Sequence, residues 1–219
     1  MDFAVPDEIE ELLDELDEFI ENEIVPLEEE NEEFFDHRRE DARTNWDDGT
    51  PTEEWEELLE EQRRRADEAG FYRYALPEEL GGEGGTNLAM AVIREHLAHR
   101  GVGLHNVLQQ EASIVGNFPI TQILHEFGSE EQKKLIEDVI TRDSAVAFGL
   151  TEPEHGSDAT WMDTTAKKEG DEYVIDGAKR WNSGMHVADY DLVFARTSGD
   201  DGDHYGITAF LVPTDAEGL

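Results

Sequence analysis

The chain contains no cysteine among its 219 residues, and only five of them are lysine. Without cysteine it can form neither a disulfide framework nor a thiolate metal site. The 17 basic residues form no stripe along any segment, which excludes the usual electrostatic footprint of nucleic-acid binding. No stretch approaches 18 consecutive apolar residues, and residues 1–6 lack the features of a signal peptide. We therefore expect no nucleic-acid partner and no membrane span.

Acidic residues are abundant instead: 55 are Asp or Glu, and the formal net charge is -38. They are spread along the whole chain, and apolar residues keep a clear periodicity between them, which indicates a folded protein. Charges of one sign on a compact body repel each other at low salt. In molar salt the screening length falls to about 3 Å, so most of this repulsion disappears. The composition predicts a halophilic protein in a salt-rich cytoplasm.

The first part of the chain has helical periodicity. Apolar residues recur along one face from residue 7 to residue 25. The segment Thr50–Glu53 has the pattern of a capping box with proline at the first helical position, and it predicts a helix ending near Gly70. Further helices are predicted at 88–99, 104–115, 119–127 and, from a second capping box that starts at Ser129, to about 140.

After residue 142 the period changes from helical to nearly alternating. Glycine and aspartate turns separate several short runs of strand-forming residues. The predicted strands are 145–150, 164–166, 173–175, 192–197 and 207–212. We predict an α+β protein with an N-terminal helical bundle at residues 1–142, followed at 143–219 by an incomplete antiparallel β-barrel.

Two polar turns in the second part carry the most information about function. Residues 148–158 read FGLTEPEHGSD, and residues 177–184 read GAKRWNSG. In the first, Thr151 and Ser157 place hydroxyls at either end of a loop that can present N–H groups to an anion or a heterocycle edge. The loop therefore has the donors that a phosphate or a flavin edge would need.

The second turn contains Trp181, which offers a flat apolar face. If the segment is a strand, Ser183 points to the same side as the indole, so a large ring could pack there and receive a hydrogen bond. The alternative, from the residues alone, is a turn followed by a strand that carries a core tryptophan.

The order and spacing of the two turns resemble the middle domain of flavin-dependent acyl-CoA dehydrogenases. Residues 77–82 are similar to the Pro-Glu-x-x-Gly-Gly segment of that family, and residues 127–133 to its Phe-Gly-Thr/Ser-Glu-Glu-Gln-Lys stretch. Residues 206–213, followed by Gly-Leu at 218–219, resemble the next family strand and its turn. The resemblance covers nearly the whole chain, except for the unspecific residues 31–48.

The resemblance implies FAD as the cofactor, and it assigns the first turn to two parts of that molecule. The segment containing Phe148, Leu150 and Thr151 would line the flavin, with the Leu150 backbone and the Thr151 hydroxyl facing the pyrimidine side of the isoalloxazine. Gly156 and Ser157 would also bind the cofactor, and Ser157 would contact the flavin phosphates and the acyl-CoA substrate.

The second turn has implied roles as well. Trp181 would pack against the flavin, and the Ser183 hydroxyl would serve flavin N5. Asn182 stands where the family commonly has isoleucine, and we include it among the cofactor-binding residues. In the first turn, Glu154 and His155 replace smaller family residues and put bulk and charge beside the phosphates.

Other polar residues have less specific signals. His96 and His99 have helical i, i+3 spacing but no third ligand at a recognisable distance, so no metal site is predicted. Glu152 is predicted to be structural, because the family takes its catalytic base from a later domain. Lys179 and Arg180 could attract the phosphates of CoA.

The resemblance implies the N-terminal portion of an FAD-dependent acyl-CoA dehydrogenase of fatty acid metabolism. Its implied partners are an acyl-CoA substrate and electron-transfer flavoprotein, and the complete enzyme is expected to be a homo-oligomer. Family members continue into a C-terminal helical bundle, so we expect this chain to be inactive alone. We expect it to bind FAD weakly, to associate through its open sheet edge, or to require a second polypeptide such as a separate C-terminal half. The alternatives are a related flavin enzyme, such as an acyl-CoA oxidase or monooxygenase, and a non-catalytic binding or assembly half.

Overall fold

The computed structural model describes residues 4–107 and 112–219, and the chain divides into two units, residues 1–122 and 123–219. The first unit is mainly helical and the second carries a five-stranded sheet, which confirms the predicted mixture of helix and sheet. The division falls within a helix, Pro119–Phe127. The domain boundary near residue 142 therefore stays a prediction.

A continuous helical segment begins the first unit. It consists of α1 (Asp7–Phe19), a π-helical turn (Ile20–Ile24) and α2 (Val25–Glu29). Pro26 lacks the N–H that would continue the hydrogen-bond ladder of the helix. The π-helical turn ends two residues before this proline. The buried stripe matches the predicted apolar face and comprises Ile9, Leu16, Ile20, Ile24 and Leu27.

Two further helices complete the regular core of this unit, α3 (Glu53–Glu68) and α4 (Asn87–His99). Asp17 of α1 joins α4, because its Oδ1 lies 2.8 Å from His96 Nε2 and accepts a 2.9 Å hydrogen bond from Arg100 Nη1. Within residues 4–107 and 112–219, no helix has both the length and the apolar character needed to cross a bilayer.

The capping box predicted at Thr50 is wrong. Thr50 and Pro51 form β2, which pairs with β1 (Thr44–Asn45), and α3 begins with Thr52 as its N-cap. The Thr52 hydroxyl donates to the carbonyl of Ala42 at 2.6 Å, so it does not cap the helix. The two short strands therefore use residues that the sequence pattern attributed to the helix start.

The helix predicted over 104–115 is also wrong in its described part. Asn106–Val107 (β3) and Ala112–Ser113 (β4) pair antiparallel, while residues 108–111 lie outside the described residues. Leu104, Ile114 and Val115 are buried. In its described residues, the apolar run thus reflects short buried strands rather than one helix face.

The second unit contains α6 (Ile136–Thr141), and α5 (Pro119–Phe127) spans the division between the units. The capping box at Ser129 is confirmed: the Ser129 N–H donates to Gln132 Oε1 at 2.8 Å, and the Gln132 N–H donates to Ser129 Oγ at 3.3 Å. It opens a 3₁₀ turn, Gln132–Leu135, that continues into α6.

All five strands predicted after residue 142 are confirmed. They are β5 (Val146–Gly149), β6 (Thr165–Glu169), β7 (Glu172–Asp176), β8 (Tyr190–Arg196) and β9 (Ile207–Pro213). β9 runs antiparallel along the full length of β8, and β7 forms a hairpin with β6. β5 pairs with β8 in parallel over four residues, and β6 does so at the single pair Thr165 and Arg196.

The prediction of an antiparallel sheet is therefore wrong, because the sheet is mixed. Alternating periodicity identifies a strand but carries no information about its direction. About 40 residues separate β5 from β8, enough for the crossover that a parallel pair requires. The rings of Tyr173 (β7) and Phe210 (β9) lie 5.1 Å apart although their strands are not hydrogen-bonded neighbours, so the sheet curls. Closure into a barrel stays a prediction.

Candidate functional site

The two polar turns lie side by side at the end of β5, within the second unit. The N–H of Arg180 donates to the carbonyl of Thr151 at 2.8 Å. The ammonium of Lys179 donates to the carbonyl of Leu150 at 3.1 Å. The sequence predicts both turns separately, and the structure shows that their backbones are hydrogen-bonded to each other.

A buried ion pair strengthens this junction. Glu152 Oε1 accepts a 2.8 Å hydrogen bond from Lys179 Nζ, and the two side chains are only 2% and 7% exposed. The N–H groups of Asp163 and Thr164 donate to the same carboxylate at 2.6 and 2.9 Å. Three donors compensate the cost of burying the charge, so the carboxylate can act as the anchor of both turns.

These contacts also decide the chemistry of Glu152. Burial would raise its pKa, but the Lys179 ammonium and the donors from Thr164 and Asp163 lower the pKa to about 2. A carboxylate so stabilised in its ionised form is a poor proton acceptor, which agrees with the predicted structural role. The prediction that Lys179 attracts CoA phosphates is wrong, because its ammonium is buried against Glu152.

Trp181 is exposed and strained. Its side chain is 80% exposed, and its φ of 66° lies in the left-handed region, where a non-glycine residue costs roughly 1–2 kcal/mol. It lies in the connection between β7 and β8 rather than in a strand, and Ser183 begins an exposed turn. The strand geometry predicted for Trp181 and Ser183 is therefore wrong, and so is the alternative of a core tryptophan.

Asn182 points inward beside this exposed indole. Its Nδ2 donates to Asp191 Oδ2 at 2.6 Å, and Asp191 is 2% exposed on β8. Burial raises the pKa of Asp191, while the Asn182 hydrogen bond and the charge of Lys179 oppose the shift. Gly149 leaves room for this pair, because a Cβ there would lie 2.9 Å from both Asn182 Nδ2 and Asp191 Oδ2.

The turn that carries Ser157 is exposed and held by its own side chains. The N–H of Gly156 donates to Asp158 Oδ1 at 2.9 Å, and His155 Nδ1 lies 3.0 Å from Asp158 Oδ2. The Asp158 hydrogen bond raises the pKa of His155 and in return lowers the pKa of Asp158. The Gly156 N–H, which the sequence predicts as a donor to an anion, thus already donates to Asp158. Ser157 is exposed.

The predicted site residues therefore fall into separate groups. Leu150 and Thr151 accept hydrogen bonds from Lys179 and Arg180, the two residues before Trp181. Asn182 lies next to Gly149. Gly156 and Ser157 lie on the exposed turn. Phe148 is 43% exposed and packs against Phe194 with ring centroids 5.2 Å apart. Because side chains alternate along a strand, Phe148 points away from the face of Gly149.

Three residues of the site are missing from the sequence-based set: Gly149, Lys179 as an anchor, and Asp191. The sequence gives one indication of the role of Lys179. Lysine is rare in this chain, so a lysine two residues before Trp181 indicates a specific partner. Asp191 has none, because a charged residue before an apolar run shortens the predicted strand to begin at Leu192. Gly149 becomes significant only when its neighbours in space are known.

Two family models match the chain. The family model described as "Acyl-CoA dehydrogenase, N-terminal domain" matches residues 6–141, and the one described as "Acyl-CoA dehydrogenase, middle domain" matches residues 147–219. A glutaryl-CoA dehydrogenase of Desulfococcus multivorans is 30% identical over 217 residues, covering 97% of this chain and 49% of the relative. Subunit CarC of the caffeyl-CoA reductase-Etf complex of Acetobacterium woodii is 34% identical over 151 residues, covering 68% and 38%.

A solved structure shows the same fold. The glutaryl-CoA dehydrogenase of Mycobacterium smegmatis in complex with FADH2 has a TM-score of 0.61 at 24% identity, over 98% of this chain and 47% of that one. The chain spans about half or less of the length of the relatives it matches.

Proposed function

The chain belongs to the acyl-CoA dehydrogenase family, and on that premise we propose that it is the N-terminal portion of an FAD-dependent enzyme for the α,β-dehydrogenation of acyl-CoA thioesters. The observation that carries the proposal is the junction of the two turns, with an exposed indole beside the Thr151 segment. When bound, FAD would accept a hydride from the β-carbon of the acyl group.

The residues at the junction fit a flavin ring. Trp181 presents an apolar aromatic face of the kind on which a fused heterocycle packs. Thr151 lies beside it through the Arg180 hydrogen bond, and Ser183 follows in the exposed turn, so each would supply a hydroxyl to the polar edge of the ring. The exposed Ser157 would meet the phosphates and the acyl-CoA.

The first test examines the ring-binding residues in the complete enzyme. Trp181→Ala should weaken retention of FAD, because the ring loses its apolar platform. Ser183→Ala should slow flavin reduction, because its hydroxyl no longer serves N5. Flavin content after gel filtration and stopped-flow reduction by acyl-CoA measure the two effects. Unchanged flavin content and unchanged reduction kinetics in both variants would remove the basis for the site.

The second part of the proposal concerns the catalytic base. Removal of the α-proton requires a carboxylate with a suitable pKa placed against the substrate. Glu152 is a buried carboxylate inside the first turn, and its contact with Lys179 leaves it strongly ionised. We infer that the base, as in the family pattern, comes from outside these 219 residues, and that the chain alone does not turn over acyl-CoA.

The activity test is direct. The purified chain is mixed with FAD, acyl-CoA and an artificial electron acceptor, and reduction of the acceptor is followed. We expect no turnover, and we expect activity to require the remainder of the family fold, which these 219 residues do not span. Turnover by the chain alone would contradict this inference, and loss of that turnover in Glu152→Gln, measured under conditions in which the variant is folded, would then assign the base to Glu152.

The electron acceptor separates the proposed dehydrogenase from an oxidase or monooxygenase. A relative, CarC, is a subunit of a complex with Etf, which supports electron-transfer flavoprotein as the partner of the complete enzyme. We expect the reduced complete enzyme to pass electrons to electron-transfer flavoprotein and to react slowly with oxygen. Rapid oxygen consumption on reoxidation would favour the oxidase. A chain that binds no flavin, alone or with a complementing half, would favour a binding or assembly role.

A further inference from the structure

A polar pair is built into the curled sheet directly beneath the exposed tryptophan. Asp191 is 2% exposed, and the single hydrogen bond that its carboxylate makes within the described residues comes from Asn182 Nδ2 at 2.6 Å. Asp191 Oδ1 and Asn182 Oδ1 are buried and have no hydrogen-bond partner among those residues. Gly149 contributes the space, since a Cβ there would collide with both side chains.

Stability alone does not account for this pair. Burying a carboxylate against a single amide donor leaves part of its desolvation cost uncompensated. The neighbours Ala147, Val193 and Ala195 are apolar, and apolar replacements of buried polar pairs are often neutral or stabilising. The best-attested use of such a pair is to specify one arrangement of the chain rather than to add stability.

The arrangement that the pair specifies is the backbone conformation of Trp181, the residue before Asn182. Asn182 directly follows Trp181, whose backbone is held at φ 66° while its indole is 80% exposed. No core packing orients a ring with that exposure, so the backbone must do so. The Arg180 hydrogen bond to Thr151 ties the chain on one side of Trp181, and the Asn182 hydrogen bond to Asp191 ties it on the other.

Building on the proposed contact between Trp181 and the flavin, we propose that Asp191 is a positioning residue that acts through Asn182. It holds the Trp181 backbone in its left-handed conformation and thereby presents the indole to the flavin ring in one orientation. The fold orients the Trp181 indole before any ligand binds, so cofactor binding does not have to supply the free energy of ordering this side chain.

The first experiment measures the environment of the Trp181 indole in the absence of flavin. The 219-residue chain is labelled with fluorotryptophan, which gives a signal for each of its four tryptophans, and Trp181→Phe assigns the signal of Trp181. Asp191→Ala and Asn182→Ala should each shift and broaden that signal, while the signal of the buried Trp55 stays in place. The double variant should equal either single variant, because both remove the same bond.

The controls separate positioning from folding and from charge. Asp191→Asn keeps an acceptor for Asn182 and should preserve the Trp181 signal. Asp171→Asn, in the exposed β6–β7 turn, removes a charge elsewhere and should change nothing. If Asp191→Ala does not fold, Asn182→Ala breaks the same bond from the half-buried side of the pair. A Trp181 signal that is unchanged in the folded alanine variants overturns the proposal.

The second experiment links the pair to the cofactor. FAD is titrated into the wild type and the variants, and quenching of flavin fluorescence reports stacking on Trp181. In Asp191→Ala and Asn182→Ala the cofactor must order a mobile Trp181 side chain on binding, so each variant should bind FAD roughly two- to tenfold more weakly. Equal affinity in all variants would contradict a role towards flavin. If the wild type binds no FAD, alone or with a complementing half, the proposed function fails, while the fluorine signals still decide whether Asp191 positions Trp181.

Discussion

At the scale of single residues, the candidate site depends on the left-handed backbone of Trp181 and on the buried ion pair between Glu152 and Lys179. The sequence marks Thr151, Trp181 and Ser183 as a ring site, because the order and spacing of their two turns resemble those of a flavin-binding family. It places the indole on a strand, whereas the backbone at Trp181 is left-handed. It misses the Lys179 anchor, because the partners Glu152 and Lys179 are 27 residues apart and only the folded chain joins them.

Removing the charge of Glu152 should show how much the anchor contributes. Glu152→Gln leaves the Lys179 ammonium buried without its partner, so the free energy of unfolding at pH 7 should fall by about 3–5 kcal/mol. A carboxyl with a lowered pKa stabilises the fold above its ordinary value of 4.5 and loses this contribution as the pH falls towards about 2. The difference between wild type and variant should therefore shrink over that range.

Urea unfolding in high salt at several pH values measures this difference. Glu154→Gln, in the same turn but exposed, is the matched control and should have little effect at any pH. A destabilisation by Glu152→Gln that stays constant between pH 7 and pH 3 would mean that the ion pair does not carry it.

The left-handed backbone of Trp181 makes a separate prediction. Glycine adopts a positive φ without steric cost, whereas alanine does not. Trp181→Gly should therefore be more stable than Trp181→Ala by about 1 kcal/mol, although both lose the same indole. Equilibrium urea unfolding of the two variants tests this directly. At an ordinary helix or strand position the alanine variant would be the more stable one. If Trp181→Ala is more stable than Trp181→Gly, the strain at Trp181 is contradicted.

At the scale of secondary-structure elements, the sequence locates strands better than it orients them. All five strands of the second unit are predicted, since alternation is a local property. The parallel pairing of β5 with β8 is not, because it depends on a connection of about 40 residues. The helix predicted over 104–115 fails for a related reason: an apolar run records burial, and both a helix and an extended core segment produce one.

The β6–β7 hairpin offers an element-scale prediction through two glycines. A Cβ at Gly177 would lie 2.6 Å from the Cα of Thr164, so Gly177→Ala must push the end of the hairpin apart and should cost about 3 kcal/mol. Gly170, in the turn, has a φ of 66° and open space around it. Gly170→Ala should cost only about 1 kcal/mol, from backbone strain alone.

Hydrogen exchange locates the damage in the hairpin. The amides near the pair Thr165 and Asp176 should lose protection in Gly177→Ala and keep it in Gly170→Ala. Equal stability and equal protection in the two variants would show that the close approach at Gly177 is not tight in solution.

At the scale of the whole molecule, the excess of acid is the feature that composition alone makes visible. The 55 acidic residues outnumber the basic ones by more than three to one, and most described ion pairs have at least one exposed side chain. Such pairs contribute little each, so they do not offset repulsion across the surface. The composition predicts the sign of the salt effect without any knowledge of the fold.

Thermal melting at several KCl concentrations tests the predicted salt requirement. Moving from molar salt to 10 mM lengthens screening from about 3 to about 30 Å, and the melting temperature should fall. Replacing Glu8, Glu11 and Glu15 by glutamine removes three exposed charges from one helix and should reduce the salt dependence. A melting temperature that is flat or falls with added salt would contradict the halophilic prediction.

The central position of β8 also has a consequence for synthesis on the ribosome. β5 ends at Gly149, and β8, its only partner among the described strands, begins at Tyr190. At about 5–20 residues per second, β5 is translated roughly 2–8 seconds before that partner exists. During this interval its exposed edge is open to non-native pairing or to a chaperone. Synonymous codons that slow translation between residues 150 and 189 should therefore lower the yield of folded protein more than slow codons placed after residue 213.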